Sequence, residues 1–219
     1  MILIPVKNLS TAKQRLAALL DQPSRTDLAQ AMLHDVVAAL SGAGLSDCAL
    51  VTSDPFALHI AAQYVLEVIP DRENPGETGA IEMATRVCAS RGVESTLVLP
   101  ADIPLIQASE VEQVLASAPS EGCVLVPAAD GRGTNAALRR PADLFPLRFG
   151  NDSFKPHLAA AHATGKPCKV LHLSGIALDV DTPANLQQVL AQPGETRTQN
   201  LLHQWVHQGS IVAAEAEKS

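Results

Sequence analysis

The sequence has no surplus of basic residues and is poor in aromatic ones. Its 219 residues include 16 Lys and Arg against 23 Asp and Glu, a formal net charge of −7, and only 3% are aromatic. No basic block or aromatic-rich basic face stands out, so a nucleic acid polymer is not expected as a partner. A small anionic ligand would need local cations, a metal ion or helix N-termini, because the overall field of the protein repels it.

Long hydrophobic runs are also missing. No stretch is long enough to span a bilayer, and the start of the chain lacks both the apolar core and the cleavage site of a signal peptide. We therefore expect a cytoplasmic protein with no membrane partner. The four cysteines include no C-x-x-C pair, which predicts reduced thiols that are mostly buried.

Two glycine-rich signatures of phosphate binding are absent as well. Neither G-x-G-x-x-G nor G-x-x-x-x-G-K-[ST] follows the first apolar run, which argues against a dehydrogenase and a P-loop ATPase. Three cations, Lys7, Lys13 and Arg15, follow that run instead, where the first βα loop of an α/β protein meets nucleotide phosphates. The pattern predicts a triphosphate clamp. The alternative for each cation alone is a solvated surface charge, and Lys7 is the best placed because a strand end fixes it.

What the sequence does have is a regular alternation of short β-like runs with longer helix-like segments. The strand candidates are Ile2 to Val6, Cys48 to Thr52, Leu66 to Ile69, Thr96 to Leu99, Cys123 to Val126 and Val170 to Leu173. The helix candidates are Arg25 to Leu40, Pro55 to Gln63, Gly79 to Ser90, Ser109 to Ala116, Ser153 to Ala163 and Pro183 to Leu190. This alternation predicts an α/β protein with a mostly parallel sheet and crossover helices.

The alternation breaks once. A turn signal at 130–133 is followed by the strand-like residues 134–138, which predicts a small antiparallel insertion covering the ligand crevice. With 47% apolar residues, the chain suits one domain, placed at residues 1–191, and a tail at 192–219. The tail carries a short apolar stripe that includes Leu202 and Trp205.

Three acids stand at positions where strand-like segments end. Asp102 follows the apolar run 96–99, while Asp179 and Asp181 have the i, i+2 spacing that puts two side chains on the same side of an extended segment. In α/β proteins the ligand crevice lies beyond the carboxyl ends of the strands, so all three can face one bound cation and the phosphates it neutralises. The alternative for any one of these acids is the capping of a turn or a helix.

A possible anion site involves Thr134, Gly150 and Ser153. Gly150 gives flexibility, and Ser153 stands at the first turn of a predicted helix, whose free N–H groups suit a carboxylate or phosphate. Thr134 can donate a hydroxyl to the same ligand. The alternatives are simple helix capping by Ser153 and a strand position for Thr134.

Taken together, these motifs resemble one family, the guanylyltransferases of coenzyme F420 biosynthesis, also called 2-phospho-L-lactate guanylyltransferases. They occur in the order of that family and cover roughly residues 1 to 190. They are Pro5-Val6-Lys7, Lys13-x-Arg15-Leu16, Leu99-Pro100-Ala101-Asp102-Ile103-Pro104-Leu105, Gly133-Thr134-Asn135, Phe149-Gly150-x-x-Ser153-Phe154 and Asp179-Val180-Asp181-Thr182-Pro183.

The resemblance implies a Rossmann-like nucleotidyltransferase fold that transfers GMP from GTP, with Mg²⁺, to a three-carbon phosphorylated acid. Pyrophosphate leaves, and the product passes to the transferase that consumes it; a homodimer is also implied. The acceptor is 2-phospho-L-lactate, phosphoenolpyruvate or 3-phospho-D-glycerate. The residues carried over are Asp102, Asp179 and Asp181 for the metal, Thr134, Gly150 and Ser153 for the acceptor, and Lys7, Lys13 and Arg15 around the triphosphate, with Asp102 and these three cations as the catalytic set.

One segment departs from the family. Where its members commonly read Gly-Leu-Asn before a helix, this chain reads Gly76-Glu77-Thr78 after Pro75, and on that basis we favour 3-phospho-D-glycerate as the acceptor. Two other functions stay open: a nucleotidylyltransferase acting on molybdopterin or a sugar phosphate, and a nucleotide-binding module without catalysis. The first lacks the glycine-rich loop usual for such enzymes, and the second predicts GTP binding without turnover.

Overall fold

The computed structural model describes residues 1–71, 76–150 and 152–211. Pro75 and Asn151, which belong to the motifs quoted above, and the end of the predicted tail lie outside these ranges. Seven strands form one sheet. They are β1 (Ile2–Val6), β2 (Cys48–Thr52), β3 (Glu67–Ile69), β4 (Thr96–Val98), β5 (Gly122–Pro127), β6 (Thr134–Arg140) and β7 (Cys168–Val170).

Helices occupy the connections between the strands. They are α1 (Gln22–Gly42), α2 (Pro55–Tyr64), α3 (Gly76–Ser90), α4 (Ala108–Ser117), α5 (Phe154–Ala163), α6 (Ser174–Ala177), α7 (Pro183–Ala191) and α8 (Arg197–His207). Two single 3-10 turns, Leu9–Thr11 and Gln14–Leu16, lie in the loop after β1. The prediction of an α/β fold is confirmed, although α6, α8 and the two short turns were not among the predicted elements.

The sheet is mostly parallel, in the order β3-β2-β1-β4-β6-β5-β7. Strand β6 is its antiparallel member, paired with β4 on one side and β5 on the other. The antiparallel direction of residues 134–138 was predicted, but their expected place over the crevice was wrong. Their run of buried side chains suits a central strand with both faces covered.

Local sequence signals explain where several helices begin. Asp54 precedes the proline that opens α2, and its carboxylate accepts from the backbone N–H groups of Phe56 and Ala57. Thr182 caps α7 in the same way, because its side chain accepts from the backbone N–H of Asn185. Such caps satisfy donors that lack a partner inside the helix.

Two apolar layers cover the faces of the sheet. On β1, Ile4 packs into the layer beneath α1, and its neighbour Leu3 packs into the opposite layer with Ile81 of α3. This alternation follows from the two-residue period of a strand. Within the described ranges all four cysteines are free thiols, three buried and Cys168 half-buried.

Part of the predicted tail is folded against the domain. Helix α8 packs on α1, with Leu202 and Trp205 of the predicted stripe buried. Asp35 of α1 accepts from the backbone N–H groups of Arg197 and Thr198 at 2.9 and 2.8 Å, so a buried carboxylate holds the start of α8. None of the helices in the described part of the chain combines the length and apolar composition needed to cross a membrane.

Candidate active site

The adjacent central strands β1 and β4 point their carboxyl ends at one cleft. The loop after β1 carries Lys7 and Lys13, and Asp102 follows β4. A third segment joins them because the backbone N–H of Val180 donates to the carbonyl oxygen of Asp102 at 3.0 Å. This contact places the extended segment around Val180 beside Asp102, and it explains how residues so distant in sequence converge.

Asp102, Asp179 and Asp181 all line this cleft, whose volume is about 630 Å³. Neither Asp179 nor Asp181 caps α7, since Thr182 does so. The helix-capping alternative therefore fails for both. Asp179 accepts from the side-chain N–H of Asn135 at 3.0 Å, a partner that the sequence did not indicate. Burial raises the pKa of Asp179, a shift that the Asn135 contact opposes and the charges of the other two aspartates reinforce.

Lys13 lies between two of these carboxylates. Its Nζ is 2.6 Å from Asp102 Oδ2 and 2.9 Å from Asp181 Oδ1, and its side chain is only 7% exposed. Burial by itself lowers the pKa of a lysine, but the two carboxylates outweigh it and the pKa of Lys13 is raised. The ammonium group therefore stays charged, and Lys13 rather than Lys7 is the cation held at the centre of the site.

The other two predicted cations lie further out. Arg15 Nη1 is 3.3 Å from Asp181 Oδ2, with more than half of its side chain exposed. Lys7 Nζ is 2.7 Å from Asp71 at the end of β3, and Lys7 lines a second, smaller cavity of about 270 Å³. All three cations thus border the site, each paired with a carboxylate.

The two cavities share a wall. Glu77, Asp102 and Asp181 line both of them. A molecule in the small cavity beside Lys7 and Lys13 and a molecule in the large cleft would therefore meet across these carboxylates. Two separate compartments joined at a charged wall suit a reaction between two bound substrates.

The carboxylates fit a hard divalent cation in donor type, since Mg²⁺ prefers oxygen ligands. Among the described residues no three acidic, histidine or cysteine side chains are arranged to hold a metal ion as they stand. The Lys13 ammonium lies where two of the carboxylates converge, which shows that this point attracts positive charge. The donor set therefore suits Mg²⁺ in type, and the metal role of the three aspartates stays a prediction.

At the other end of the large cleft the structure brings together Thr134, Gly150 and Ser153. Gly150 has φ +134°, a backbone conformation that favours glycine. Ser153 does not cap α5 with its side chain; its Oγ accepts from the backbone N–H of Thr134 at 3.0 Å. The capping alternative is therefore wrong for Ser153, and its hydroxyl joins β6 to α5 beside the cleft.

Sequence reasoning missed His157, which lies directly behind Thr134. The ring of His157 is 1% exposed, with Nδ1 2.9 Å from Thr134 Oγ1 and Nε2 accepting from the backbone N–H of Arg148 at 2.7 Å. The sequence feature that could have indicated His157 is its position four residues after Ser153, which places both residues on the same face of α5. Burial, helped by the positive charge of Arg139, lowers the pKa of His157 to about 4.

Glu77, from the segment that departs from the family pattern, lies on the shared wall. The residue as a whole is exposed, but the walls of the cleft surround its carboxyl group. This burial is the larger cause and the negative charge of Asp102 is the second, and together they raise the pKa of Glu77 to about 7. The neighbouring Thr78 accepts from the backbone N–H of Phe149 at 2.9 Å, which ties the start of α3 to the loop that holds Gly150.

The depressed pKa of His157 predicts a pH dependence of stability. Between pH 6.5 and about 4 the unfolded chain binds a proton that the folded protein does not, so the free energy of unfolding falls as the pH falls. The loss is about 1.4 kcal/mol per pH unit and about 3 kcal/mol in total. Urea unfolding of the wild type and of His157→Gln at pH 7, 5.5 and 4.5 measures it.

His157→Gln should lose this part of the pH dependence because glutamine does not titrate. The exposed His172, changed to Gln, is the matched control and should keep the wild-type slope. Equal slopes for the wild type and His157→Gln would contradict the prediction.

Comparisons with known proteins agree with this geometry. A family model described as "Guanylyl transferase CofC like" matches residues 1–214. A phosphoenolpyruvate guanylyltransferase of Sphaerobacter thermophilus is 36% identical over 188 residues, 85% of this chain and 90% of that protein. A 2-phospho-L-lactate guanylyltransferase of Methanothermobacter thermautotrophicus is 31% identical over 200 residues, 91% of this chain and 88% of that protein.

Solved structures share the fold. A putative nucleotide-diphospho-sugar transferase from Desulfovibrio desulfuricans superposes with a TM-score of 0.76 at 17% identity, covering 94% of both chains. A nucleotidyl transferase from Methanothermobacter superposes with a TM-score of 0.56 at 16% identity, covering 93% of this chain and 99% of that one. Identities this low show the architecture alone. The family model and the relatives above 30% identity establish that this chain belongs to the CofC-like guanylyltransferases, enzymes of the nucleotidyltransferase class.

Proposed function

We propose that this enzyme transfers GMP from GTP to the phosphate group of a three-carbon phosphoacid, with release of pyrophosphate, in coenzyme F420 biosynthesis. The observation that carries the proposal is the wall formed by Asp102 and Asp181, shared by two cavities and neutralised by Lys13. The names of the relatives support guanine as the base and a phosphoacid as the acceptor.

The small cavity is assigned to the nucleotide. Lys7 and Lys13 border it, so the phosphates of GTP would lie against two ammonium groups. The large cleft is assigned to the acceptor, whose anionic end would reach Thr134 and Ser153. The reacting groups then meet at the aspartates.

The chemistry requires charge neutralisation more than proton transfer, because the phosphate oxygen of the acceptor is already ionised at pH 7. Two unit charges 4 Å apart repel by about 4 kcal/mol at an effective dielectric constant near 20. One such repulsion slows a reaction about a thousandfold. Lys13 and Arg15 supply fixed positive charge at this point, and both cavities hold their ligands in place for attack.

Mg²⁺ bound by Asp102, Asp179 and Asp181 would supply further positive charge against the phosphates of both reactants. For the metal to bind there, Lys13 must leave the carboxylates. Its long side chain can then turn to the triphosphate, so one residue would neutralise the acids in the free protein and the nucleotide in the complex. In the free protein Asp102 and Asp181 raise the pKa of Lys13 and keep it charged, and in the complex the anionic triphosphate would favour the charged form in the same way.

Each of the three acceptors has some support. Phosphoenolpyruvate and 2-phospho-L-lactate have the support of the relatives' names, while 3-phospho-D-glycerate has the support of Glu77, which lines both cavities. A hydroxyl on the second carbon of 3-phospho-D-glycerate can donate to the Glu77 carboxyl group, whereas phosphoenolpyruvate and 2-phospho-L-lactate have no such donor. Our sequence-based preference for 3-phospho-D-glycerate stays a prediction.

Pyrophosphate release tests the proposal. The enzyme is incubated with Mg²⁺, each of GTP, ATP and CTP, and each three-carbon phosphoacid or a sugar phosphate, and the F420 phosphoacid transferase consumes the unstable product. We expect pyrophosphate with GTP and a phosphoacid. If Glu77 selects 3-phospho-D-glycerate, Glu77→Met lowers the rate with this acid about tenfold relative to phosphoenolpyruvate, the loss of one hydrogen bond.

Two outcomes would contradict the proposal. Release of pyrophosphate only when the acceptor is a sugar phosphate or molybdopterin would favour the alternative nucleotidylyltransferases. Binding of GTP without release of pyrophosphate under every condition would favour a non-catalytic module. The homodimer that the resemblance implies is tested in the same preparation by light scattering.

A further inference from the structure

Thr134, Ser153 and His157 form a chain of hydrogen bonds at the acceptor end of the large cleft. The backbone N–H of Thr134 donates to Ser153 Oγ at 3.0 Å, and Nδ1 of His157 lies 2.9 Å from Thr134 Oγ1. The backbone N–H of Arg148 donates to the other ring nitrogen, Nε2, at 2.7 Å. All three side chains are buried, His157 most completely.

The contact with Arg148 fixes the direction of the chain. A backbone N–H can only donate, so Nε2 of His157 must carry a lone pair. A neutral imidazole has one proton, which is therefore on Nδ1. Burial of the ring keeps His157 neutral at pH 7. It follows that His157 Nδ1–H donates to Thr134 Oγ1.

Each of the two hydroxyl oxygens thus already accepts a hydrogen bond within the protein. Thr134 accepts from His157, and Ser153 accepts from the Thr134 backbone. Their own protons have no acceptor among the residues that the structure describes, and both residues line the cleft. Two hydroxyl protons are therefore available to a ligand.

We propose that His157 is a positioning residue that directs the hydroxyl proton of Thr134 toward the ionised carboxylate or phosphate oxygens of the acceptor in the large cleft. It acts through Thr134 and touches no substrate itself. The inference rests on the proposed function for the identity of the acid, a three-carbon phosphoacid.

Two variants test the donor nitrogen and the acceptor nitrogen of His157 separately. His157→Gln can keep the acceptor for the Arg148 N–H and loses the donor to Thr134. His157→Asn can keep a donor near the position of Nδ1 and loses the acceptor. A residue with a purely structural role would affect acid binding in proportion to lost stability, whereas a positioning residue would not.

Binding of phosphoenolpyruvate is measured calorimetrically in the presence of Mg²⁺ and an α,β-methylene analogue of GTP. His157→Gln should weaken binding of the acid about tenfold to a hundredfold, because the Thr134 hydroxyl would no longer be directed at the anion. The dissociation constant of the GTP analogue should stay unchanged. His157→Asn should bind the acid within about threefold of the wild type despite its lower stability, because its donor remains. Adding His157→Gln to Thr134→Val should weaken binding no further than Thr134→Val alone.

Nitrogen-15 spectra of the histidine rings test the same inference without a ligand. We expect Nδ1 protonated and Nε2 bare at pH 7. The opposite tautomer, equal binding of phosphoenolpyruvate by the wild type and His157→Gln, or no binding of any of the three phosphoacids by the wild type would each overturn the inference. Failure of the proposed function has a different signature: the acid binds with the expected order of variants, but GTP yields no pyrophosphate.

Discussion

Replacing Asp102 with asparagine is expected to lower the rate of pyrophosphate release about a thousandfold and to leave the protein folded. Asp102 stands on the wall that both cavities share, and its carboxylate contacts Lys13. Asp102 is proposed to hold Mg²⁺, whose positive charge would offset the repulsion of about 4 kcal/mol between two anions 4 Å apart at an effective dielectric constant near 20, and losing that offset corresponds to this factor in rate. Asparagine can still accept from Lys13, so the local structure should persist.

Steady-state pyrophosphate assays with GTP and phosphoenolpyruvate measure the effect. Asp179→Asn should show a loss of similar size, since Asp179 lines the same cleft. Asp27→Asn, on the exposed surface of α1, is the matched control and should keep wild-type activity. An Asp102→Asn enzyme within about tenfold of the wild type would mean that this carboxylate is not part of the reaction centre.

Replacing Lys13 with methionine is expected to change activity and metal response in opposite directions. The variant should lose activity by about a hundredfold to a thousandfold, because a fixed positive charge near the triphosphate is gone. Without the ammonium group, Asp102 and Asp181 repel each other, and the partly exposed pair should cost the free protein about 1–3 kcal/mol of stability. Mg²⁺ then meets two carboxylates that no longer share the Lys13 ammonium group, with the exposed Arg15 still beside Asp181.

The variant should therefore gain more thermal stability from Mg²⁺ than the wild type does. Melting temperatures with and without the ion, without nucleotide, measure this difference. Lys155→Met, at an exposed position of α5, is the control and should respond to Mg²⁺ as the wild type does. If Lys13→Met responds no more strongly than the wild type, Lys13 and the cation do not compete for the same carboxylates.

The strands near the site were the most predictable part of the fold. The ends of β1 and β2 agree with the prediction, because short apolar runs bounded by charged or turn residues leave little choice. The position of β6 was not predictable in the same way. Residues 134–138 indicate a strand, but the place of β6 in the strand order depends on its pairing with β4, as between Thr96 and Arg139, which are distant in sequence.

The candidate site, like the fold, was predictable from the sequence only in part. The prediction that Asp102, Asp179 and Asp181 meet at one cleft is confirmed, but only Asp102 follows a strand, whereas Asp179 and Asp181 lie in the extended segment after α6. The position of Lys13 between two acids was not predictable, because it depends on the loop after β1, where Lys13 has the left-handed backbone angle φ 55°. The tautomer of His157 depends on an N–H of a distant loop, which no local pattern reveals.

Anomalous diffraction from Mn²⁺ tests the central claim most directly. Crystals of the wild type would be grown with Mn²⁺, α,β-methylene GTP and phosphoenolpyruvate, with the manganese located by its anomalous signal. The account predicts manganese coordinated by Asp102, Asp179 and Asp181 at the shared wall, with Lys13 Nζ moved from the carboxylates to the triphosphate. Manganese bound elsewhere, or Lys13 still held between Asp102 and Asp181 with both substrates present, would contradict it.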